Sequence, residues 1–310
     1  MVVISAPATL QERTFDQLVH GLAGAAGRVL VDARRVSWVD PYGMLGLLAA
    51  GAVAGRAGER PVLQLPESPE VLSYLTRMGF FAHADALFEL HGAGRRGREP
   101  AGGSAPSDVL LEITPVRSHA DIHGVVDRVH ERATLLLVNQ LHYPLPEAVQ
   151  FSVILSEVCQ NIIEHAQAPG WVAAQTYSRT PQLARRVVRI AVADVGIGFK
   201  ASLAGLHAAR FGERWSDATA LEAAFIHGMT RFHDPGRGQG LQQIRRNVGR
   251  WGGKVSIRSG TARIADVPPY DDAPPLEEHL PPFPGAQIFL ELPEREPGGG
   301  PGRGARGGGP

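Results

Sequence analysis

A stretch rich in glycine, proline, serine and arginine divides the chain into two parts that follow different patterns. It reads GAGRRGREPAGGSAPS and offers few apolar side chains to bury, which is typical of linkers. We therefore predict one domain over residues 1–90, a linker over residues 91–107 and a second domain over residues 108–292. Residues 293–310 consist mainly of Gly, Pro and Arg, and this composition predicts a disordered tail.

The first part alternates between strand and helix patterns. Runs rich in valine and leucine, such as VVIS, RVLVD and PVLQL, are separated by segments whose apolar residues have helical spacing. Asp40 followed by Pro41 is suited to begin a helix, and Ser68 is the expected N-cap of a later one. This alternation predicts a small α/β domain with helices packed on a sheet.

The second part orders its elements differently. It begins with a strand, DVLLEITPV, and two helices, of which the second covers PEAVQFSVILSEVCQNIIEHA. Two strands, a helical region with several glycines and two closing strands follow. This order predicts an α+β sandwich with helices on one face of a mixed sheet. A proline-rich stretch, residues 267–285, interrupts the closing strands, and we interpret it as a long surface loop.

Composition narrows the class of protein. Lys plus Arg and Asp plus Glu balance at 31 each, so we expect no nucleic acid to bind through bulk charge. No apolar run has the length of a transmembrane helix, and no membrane partner is expected. The single cysteine, Cys159, excludes an intramolecular disulfide and a multi-cysteine zinc site, and we expect it in the core. These features predict a soluble, cytoplasmic protein.

Three polar residues recur at a four-residue spacing on the second of those helices. Glu157, Asn161 and His165 lie on successive turns of SEVCQNIIEHA, so a carboxylate, an amide and an imidazole form one stripe. Such a stripe faces either water or a ligand. A solvated helix face is the simpler reading of the stripe alone.

A first glycine motif follows about thirty residues later, at the end of a predicted strand. In DVGIGF, Gly196 and Gly198 allow a tight turn and a close approach of a ligand to the backbone. Asp194 supplies a carboxylate that could accept an exocyclic amino proton. A turn-forming acid before glycine is the alternative role for Asp194.

A second glycine motif precedes a helix that we expect to begin near Leu241. Gly236, Gly238 and Gly240 lie in GRGQGL, and the exposed amides of a helix N-terminus are suited to hold phosphate. No GKS or GKT follows either motif, so neither is a Walker A loop, and the spacing is not that of a dinucleotide fingerprint. A merely flexible loop is the alternative here.

Taken in order, the three motifs over residues 108–292 resemble those of the histidine-kinase-like ATPase superfamily. They are most similar to the anti-sigma-factor serine kinase branch, in which a strand and one helix precede the first motif. The resemblance implies ATP and Mg²⁺ as cofactors. It implies Asn161 as the Mg²⁺ ligand and Glu157 as the general base that activates the attacking hydroxyl or water.

The resemblance also implies ligand-binding roles for the two glycine motifs. Asp194 would bind the adenine amino group, and Gly196 and Gly198 would shape that pocket. The second motif would lie along the phosphates under a mobile lid, with Gly236, Gly238 and Gly240. One amide oxygen is chemically sufficient on the protein side, because Mg²⁺ takes few protein ligands and keeps several waters.

The first part is similar to a STAS domain, the fold of anti-sigma-factor antagonists. The similarity lies in RVLVDARRVSWVDPYGMLGLLAAG, where that family has D-S-[ST]-G at the turn between a strand and a helix. Here the turn reads Asp40, Pro41, Tyr42, Gly43, so proline replaces the usual phosphoacceptor serine. We therefore expect no serine phosphorylation at this turn. Tyr42 is a conceivable acceptor, although the serine kinases of this family are not expected to use it.

These resemblances lead to an expected function with two alternatives. We expect an ATP-binding signalling protein, a serine/threonine protein kinase of the anti-sigma-factor type that acts on a partner such as a STAS-type antagonist or a sigma factor. The first alternative is a non-catalytic, ATP-dependent binding switch that regulates a partner through the STAS-like domain. The second is ATP hydrolysis coupled to homodimerisation. The sequence leaves the oligomeric state, and whether the two domains touch, open.

Overall fold

A computed structural model of the chain describes most of both predicted domains. It describes residues 1–92, 109–116, 119–133, 137–139, 141–161, 166, 168, 170–178, 185–230 and 239–295. Residues 93–107 of the predicted linker and residues 296–310 of the predicted tail lie outside these ranges. Within the described residues, no helix is both long enough and apolar enough to cross a membrane.

The first part has the predicted alternation of strands and helices. Its elements are β1 (Val2–Ser5), β2 (Thr9–Leu10), α1 (Phe15–Leu22), β3 (Val29–Asp32), β4 (Trp38–Val39), α2 (Pro41–Ala54), β5 (Val62–Gln64), α3 (Pro69–Arg77), α4 (Phe80–Leu87) and β6 (Glu89–His91). Strands β1, β3, β5 and β6 form a parallel sheet in that order, and β2 pairs with β4 in parallel. The helices therefore serve as the crossover connections that parallel strands require.

Two helix starts follow the expected capping chemistry. The Asp40 carboxylate accepts a hydrogen bond from the Gly43 amide at 2.9 Å, and Pro41 occupies the first turn of α2. The Ser68 hydroxyl accepts from the Val71 amide at 3.3 Å at the start of α3. Both caps are confirmed, because short polar side chains satisfy amides that have no partner within the helix.

The second part consists of one large sheet and five helices among the described residues. Its elements are β7 (Val109–Val116), α5 (His119–Ala133), α6 (Leu145–Asn161), β8 (Gly170–Tyr177), β9 (Val187–Asp194), α7 (Gly198–Phe211), α8 (Asp217–Phe225), α9 (Gln239–Arg250), β10 (Lys254–Gly260), β11 (Ala262–Asp266), β12 (Leu276–Glu277) and β13 (Phe283–Pro293). The strand order is β12-β11-β10-β13-β9-β8-β7. Beyond β13, the Arg295 amide still donates to the Leu141 carbonyl at 3.0 Å.

The expectation of a mixed sheet is wrong, because every pairing described in this sheet is antiparallel. Strand β7 is followed by two helices rather than one. A single helix would return the chain for a parallel strand, whereas the pair α5 and α6 brings it back to the end where β7 finished. Val116, the last residue of β7, accordingly lies beside Gly170, the first residue of β8.

The two faces of this sheet are covered by different parts of the chain. Alternate residues of a strand point to opposite faces. In β9, Val188, Ile190 and Val192 pack with α5–α9 in one hydrophobic core. Ala191 and Ala193 face the other way and join a core made mainly of residues from the first part. The helices of the second part thus lie on one face, as expected, and the first part covers the opposite face.

Helix α2 is the middle layer of the molecule. It packs on β8, β9 and β13 of the large sheet and, through its remaining sides, on the rest of the first part. Its residues from Pro41 to Gly51 are all buried. A Cβ at Gly43 would overlap the Leu10 carbonyl, and one at Gly51 would overlap the Phe88 ring, so these glycines permit the close packing. A helix that is apolar on all sides is expected where layers meet on both sides.

Ion pairs cross the boundary between the two parts. The buried Lys254 ammonium lies 2.7 Å from Glu12, and Arg258 contacts Asp16 at 2.7 Å. The proline-rich segment takes part: Asp271 lies 2.8 Å from Arg13 of the first part. This segment also contains β12, which pairs with β11. Most of this segment is exposed or half-buried and has no regular structure, as expected of a long surface loop, but these contacts also attach it to both parts.

Candidate functional site

Helix α6 positions two residues of the predicted stripe. The described part of the helix runs to Asn161, and Glu157 and Asn161 are both partly buried. Cys159 points into the core and is fully buried, as expected, and burial raises the pKa of its thiol to about 12. The third member of the stripe, His165, lies outside the described residues. The described part of the stripe thus borders the hydrophobic core without entering it.

Asn161 and the first glycine motif meet at one small cavity. Its volume is about 20 Å³, and Asn161, Asp194, Gly198 and Phe199 are among the residues that line it. The Nδ2 atom of Asn161 is buried and has no hydrogen-bond partner among the described residues. A buried amide without a partner is costly unless a ligand or water satisfies it. This unpaired group is the first indication of a binding site.

Asp194 ends β9 at the base of this cavity. Its carboxylate accepts hydrogen bonds from the Gly196 amide at 2.8 Å and the Ala286 amide at 3.2 Å. Burial raises its pKa to about 6, although both hydrogen bonds act in the opposite direction. A buried carboxyl group whose pKa lies this close to neutral pH is a common feature of functional sites.

Close packing explains the first glycine motif. A Cβ at Gly196 would overlap the carbonyl oxygen of Ala166. Gly198 has φ +69°, and a Cβ there would lie 2.7 Å from the Ser259 hydroxyl oxygen. Only glycine combines this backbone conformation with so little space. The turn therefore requires glycine whether or not a ligand binds.

Two residues of the site were missed at the level of sequence. Gly285 has φ +77° and lies against the backbone of Asp194, where a Cβ would overlap the Asp194 carbonyl. Ser259 accepts a hydrogen bond from the Phe199 amide at 3.1 Å and donates one to the Gly285 carbonyl at 2.8 Å. The Pro-Gly pair near the start of the last strand was a turn signal in the sequence, but nothing in the sequence placed it beside Asp194.

The second glycine motif approaches the stripe at one described residue. Gly240 lies in the first turn of α9, and a Cβ there would be 2.5 Å from the Glu157 Oε2 atom. The carboxylate of the predicted base thus lies against the predicted phosphate-binding glycine. Gly236 and Gly238 lie outside the described residues. The structure brings Glu157, Asn161, Asp194, Gly196, Gly198 and Gly240 to one side of the large sheet.

The residues at the site fit a nucleotide in their chemistry, but the cavity does not fit one in its size. A volume of about 20 Å³ holds a single water molecule. A purine ring enters only after a lining side chain moves, and the half-buried Phe199 at the start of α7 is in the wall. Among the described residues, no group of three or more His, Cys, Asp or Glu side chains could hold a metal. A metal here would depend on Asn161 and on ligand oxygens.

Comparison with known proteins adds no assignment to this geometry. No protein-family model matches the chain, and no curated protein is similar enough to it to count as a match.

The raised pKa of Asp194 predicts a pH-dependent difference in stability. Between pH 3.8 and about 6 the folded protein keeps a proton that the unfolded chain has lost, so stability falls as pH rises through this window. Replacing Asp194 by Asn removes the effect. From pH 4 to pH 7, we expect the free energy of unfolding of D194N to rise relative to wild type by about 2 kcal/mol. Urea unfolding of both proteins across this range measures it, and a constant difference would contradict the assignment.

Proposed function

We propose that the protein is an Mg²⁺-dependent ATP-binding signalling protein, and that it acts as a serine/threonine protein kinase on a partner protein. One observation supports this proposal above the others. Asn161 and Asp194 line one cavity, and Gly240 lies against Glu157, so three motifs far apart in the sequence converge on one side of the sheet. This convergence favours a ligand over the alternative of a solvated helix face.

Each residue has a chemically suitable role in this proposal. The Asp194 carboxylate would accept a hydrogen bond from an exocyclic amino group, and the Asn161 side chain would turn its amide oxygen towards the metal. Bound Mg²⁺·ATP would supply the phosphoryl group and neutralise its charge. Glu157 would take the proton from the attacking hydroxyl. The half-buried position of Glu157 keeps it close to the phosphate-binding glycine without removing it from solvent.

The position of α2 favours a second candidate, the non-catalytic switch. The turn that carries a phosphoacceptor in STAS domains lies between the two parts, and Tyr42 is only 3% exposed. Phe15 and Phe289 pack edge-on against its ring, at centroid distances of 5.6 and 6.0 Å. A kinase cannot reach this hydroxyl in the folded protein. Phosphoryl transfer therefore requires a separate partner protein as acceptor. If no such partner exists, ATP binding by itself would be the signal.

The same proposal extends to the two domains, to the partner and to the cellular location. We assign residues 1–90 to a STAS-like domain and residues 108–292 to a histidine-kinase-like ATPase domain. The partner would be a STAS-type antagonist or a sigma factor. Use of ATP and a single buried cysteine favour the cytoplasm as the place of action.

Calorimetric titration with Mg²⁺·ATP tests the nucleotide site. We expect the wild type to bind only with metal present, and N161A to bind at least about tenfold more weakly, or 1.4 kcal/mol. The matched control is N139A, which removes the same amide from an exposed position and should bind as wild type does. A folded wild type that binds no Mg²⁺·ATP, or an N161A variant with unchanged affinity, would overturn the site.

A further inference from the structure

A larger cavity lies between the two parts of the molecule, on the face of the large sheet opposite the proposed nucleotide site. Its volume is about 440 Å³, within the range of about 300–1,000 Å³ usual for ligand pockets. Phe289 and Arg189 form part of its wall. Phe289 belongs to the core shared with the first part, whereas its neighbour Ile288 lines the small cavity by Asn161. Strand alternation therefore separates the two cavities across the sheet.

The wall of this cavity carries an excess of negative charge. It contains four carboxylates against three cationic side chains: Glu12, Asp40, Asp271 and Glu291, with Arg13, Arg189 and Lys254. Three of the four carboxylate residues are at most 6% exposed. Charges are seldom buried unless a partner compensates them. The cavity thus has the electrostatic character of a site for a cation.

Asp40 is the least compensated of these carboxylates. It accepts a hydrogen bond from the Gly43 amide at 2.9 Å and a longer one from Arg189 Nη1 at 3.4 Å. That guanidinium lies closer to Glu291, at 2.8 Å. Burial raises the pKa of Asp40 to about 6 in spite of Arg189. Because Arg189 serves both Asp40 and Glu291, a second cation beside Asp40 would complete the neutralisation of its negative charge.

The other walls suit a small organic body. Trp38 is 43% exposed and lies against Tyr177, with 5.6 Å between the ring centroids. Both rings line the cavity, and so does Tyr270. The Tyr270 hydroxyl is buried and has no hydrogen-bond partner among the described residues. An aromatic surface suits the carbon skeleton of an alkylammonium ion, and a hydroxyl oxygen can accept a hydrogen bond from an ammonium group.

We propose that this cavity binds a small organic amine in its cationic form. The ammonium group pairs with Asp40, and the carbon skeleton lies on the ring of Trp38. Because both parts of the chain form the wall, binding stabilises their association and could report the presence of the amine to the opposite face of the sheet. This proposal is independent of whether ATP binds.

Titration of the full chain with n-butylammonium chloride at constant ionic strength, followed by ligand-observed NMR, tests the proposal. Two probes of similar size, 1-butanol and butyrate, replace the cation by a neutral group and by an anion. We expect saturable binding of butylammonium with a dissociation constant of about 1–10 mM, given the few atoms of the probe. The neutral and anionic probes should bind at least tenfold more weakly.

Variants make the test specific. D40N should weaken butylammonium binding at least tenfold, whereas D85N, which neutralises an exposed carboxylate of the same part, should not change it. Should D40N fail to fold, W38A carries the test, because it removes a partly exposed ring and is expected to weaken binding as well. Absence of saturable binding to the wild type, equal binding of 1-butanol or butyrate, or unchanged affinity in the folded D40N or W38A would overturn the proposal.

Discussion

Replacing Arg258 by methionine is expected to lower the free energy of unfolding by about 3–5 kcal/mol. Arg258 is fully buried and reaches across the boundary between the two parts to Asp16, at 2.7 Å. It also donates to the carbonyls of Gly260, at 3.3 Å, and Pro281, at 2.5 Å. Methionine fills much of the same space but removes all three hydrogen bonds, so that Asp16 keeps only its pairing with Arg263. Removing one partner of a buried network costs more than the pair itself contributes.

Urea unfolding is the appropriate measurement, since guanidinium would screen the charges. The matched control is R34M, because Arg34 pairs with Asp32 at 2.8 Å with 53% of its side chain exposed. An exposed pair of this kind contributes at most about 1 kcal/mol. Equal destabilisation by R258M and R34M would show that the two parts are not held together by the buried ion pairs.

Replacing Glu157 by glutamine is expected to reduce phosphate transfer to a partner by about 10²–10⁴-fold while Mg²⁺·ATP binding stays near that of wild type. Glutamine keeps the size of the side chain and its contact with Gly240, but it cannot accept a proton from the attacking hydroxyl. The measurement is transfer of label from ATP to serine on candidate STAS-type proteins. The rate of E157Q is compared with that of E131Q, which alters an exposed glutamate on the neighbouring helix α5.

The outcome separates the two candidate functions. Transfer by the wild type that E157Q abolishes supports the kinase. Metal-dependent binding without transfer to any partner tested supports the switch and leaves Glu157 without a catalytic role. Transfer that persists in E157Q at the wild-type rate would support the kinase but contradict the assignment of Glu157 as its base.

Under either candidate function, the buried helix α2 is not accessible to a partner protein. In this molecule, the helix that follows the Asp40 turn packs against β8, β9 and β13 of the same chain. A partner that needs this helix could bind only after the two parts separate, which would expose the core that they share. We therefore expect partners to bind at other surfaces, and α2 to hold the two parts together by packing against both.

Local features of the fold could be predicted from the sequence, because neighbouring residues determine them. The caps at Asp40 and Ser68 depend on amides within three residues of each side chain, and both were confirmed. The spacing of Glu157 and Asn161 on one helix has the same local origin. The order of the motifs predicted a shared site, but the close approach of Gly240 to Glu157 could not be predicted from the sequence.

Features that depend on distant segments were missed or interpreted wrongly. The strand directions depend on how many helices intervene, and the mixed sheet that we expected is antiparallel. The proline-rich segment around Asp271 gave no sign of its partners Arg13 and Lys254, which lie elsewhere in the chain. A signal for α2 was present, since its sequence is apolar on every side. That pattern indicates burial but does not identify the neighbouring layers.

The sequence by itself determined the elements, their caps and the residue types available for chemistry, because these follow from side chains within a few positions of one another. The tertiary structure alone decided that Asn161 and Asp194 share a cavity, that Gly285 packs against Asp194, and that a charged cavity lies between the two parts. Such contacts join residues far apart in the chain. They form only when apolar faces, here those of α2 and the large sheet, are buried against each other.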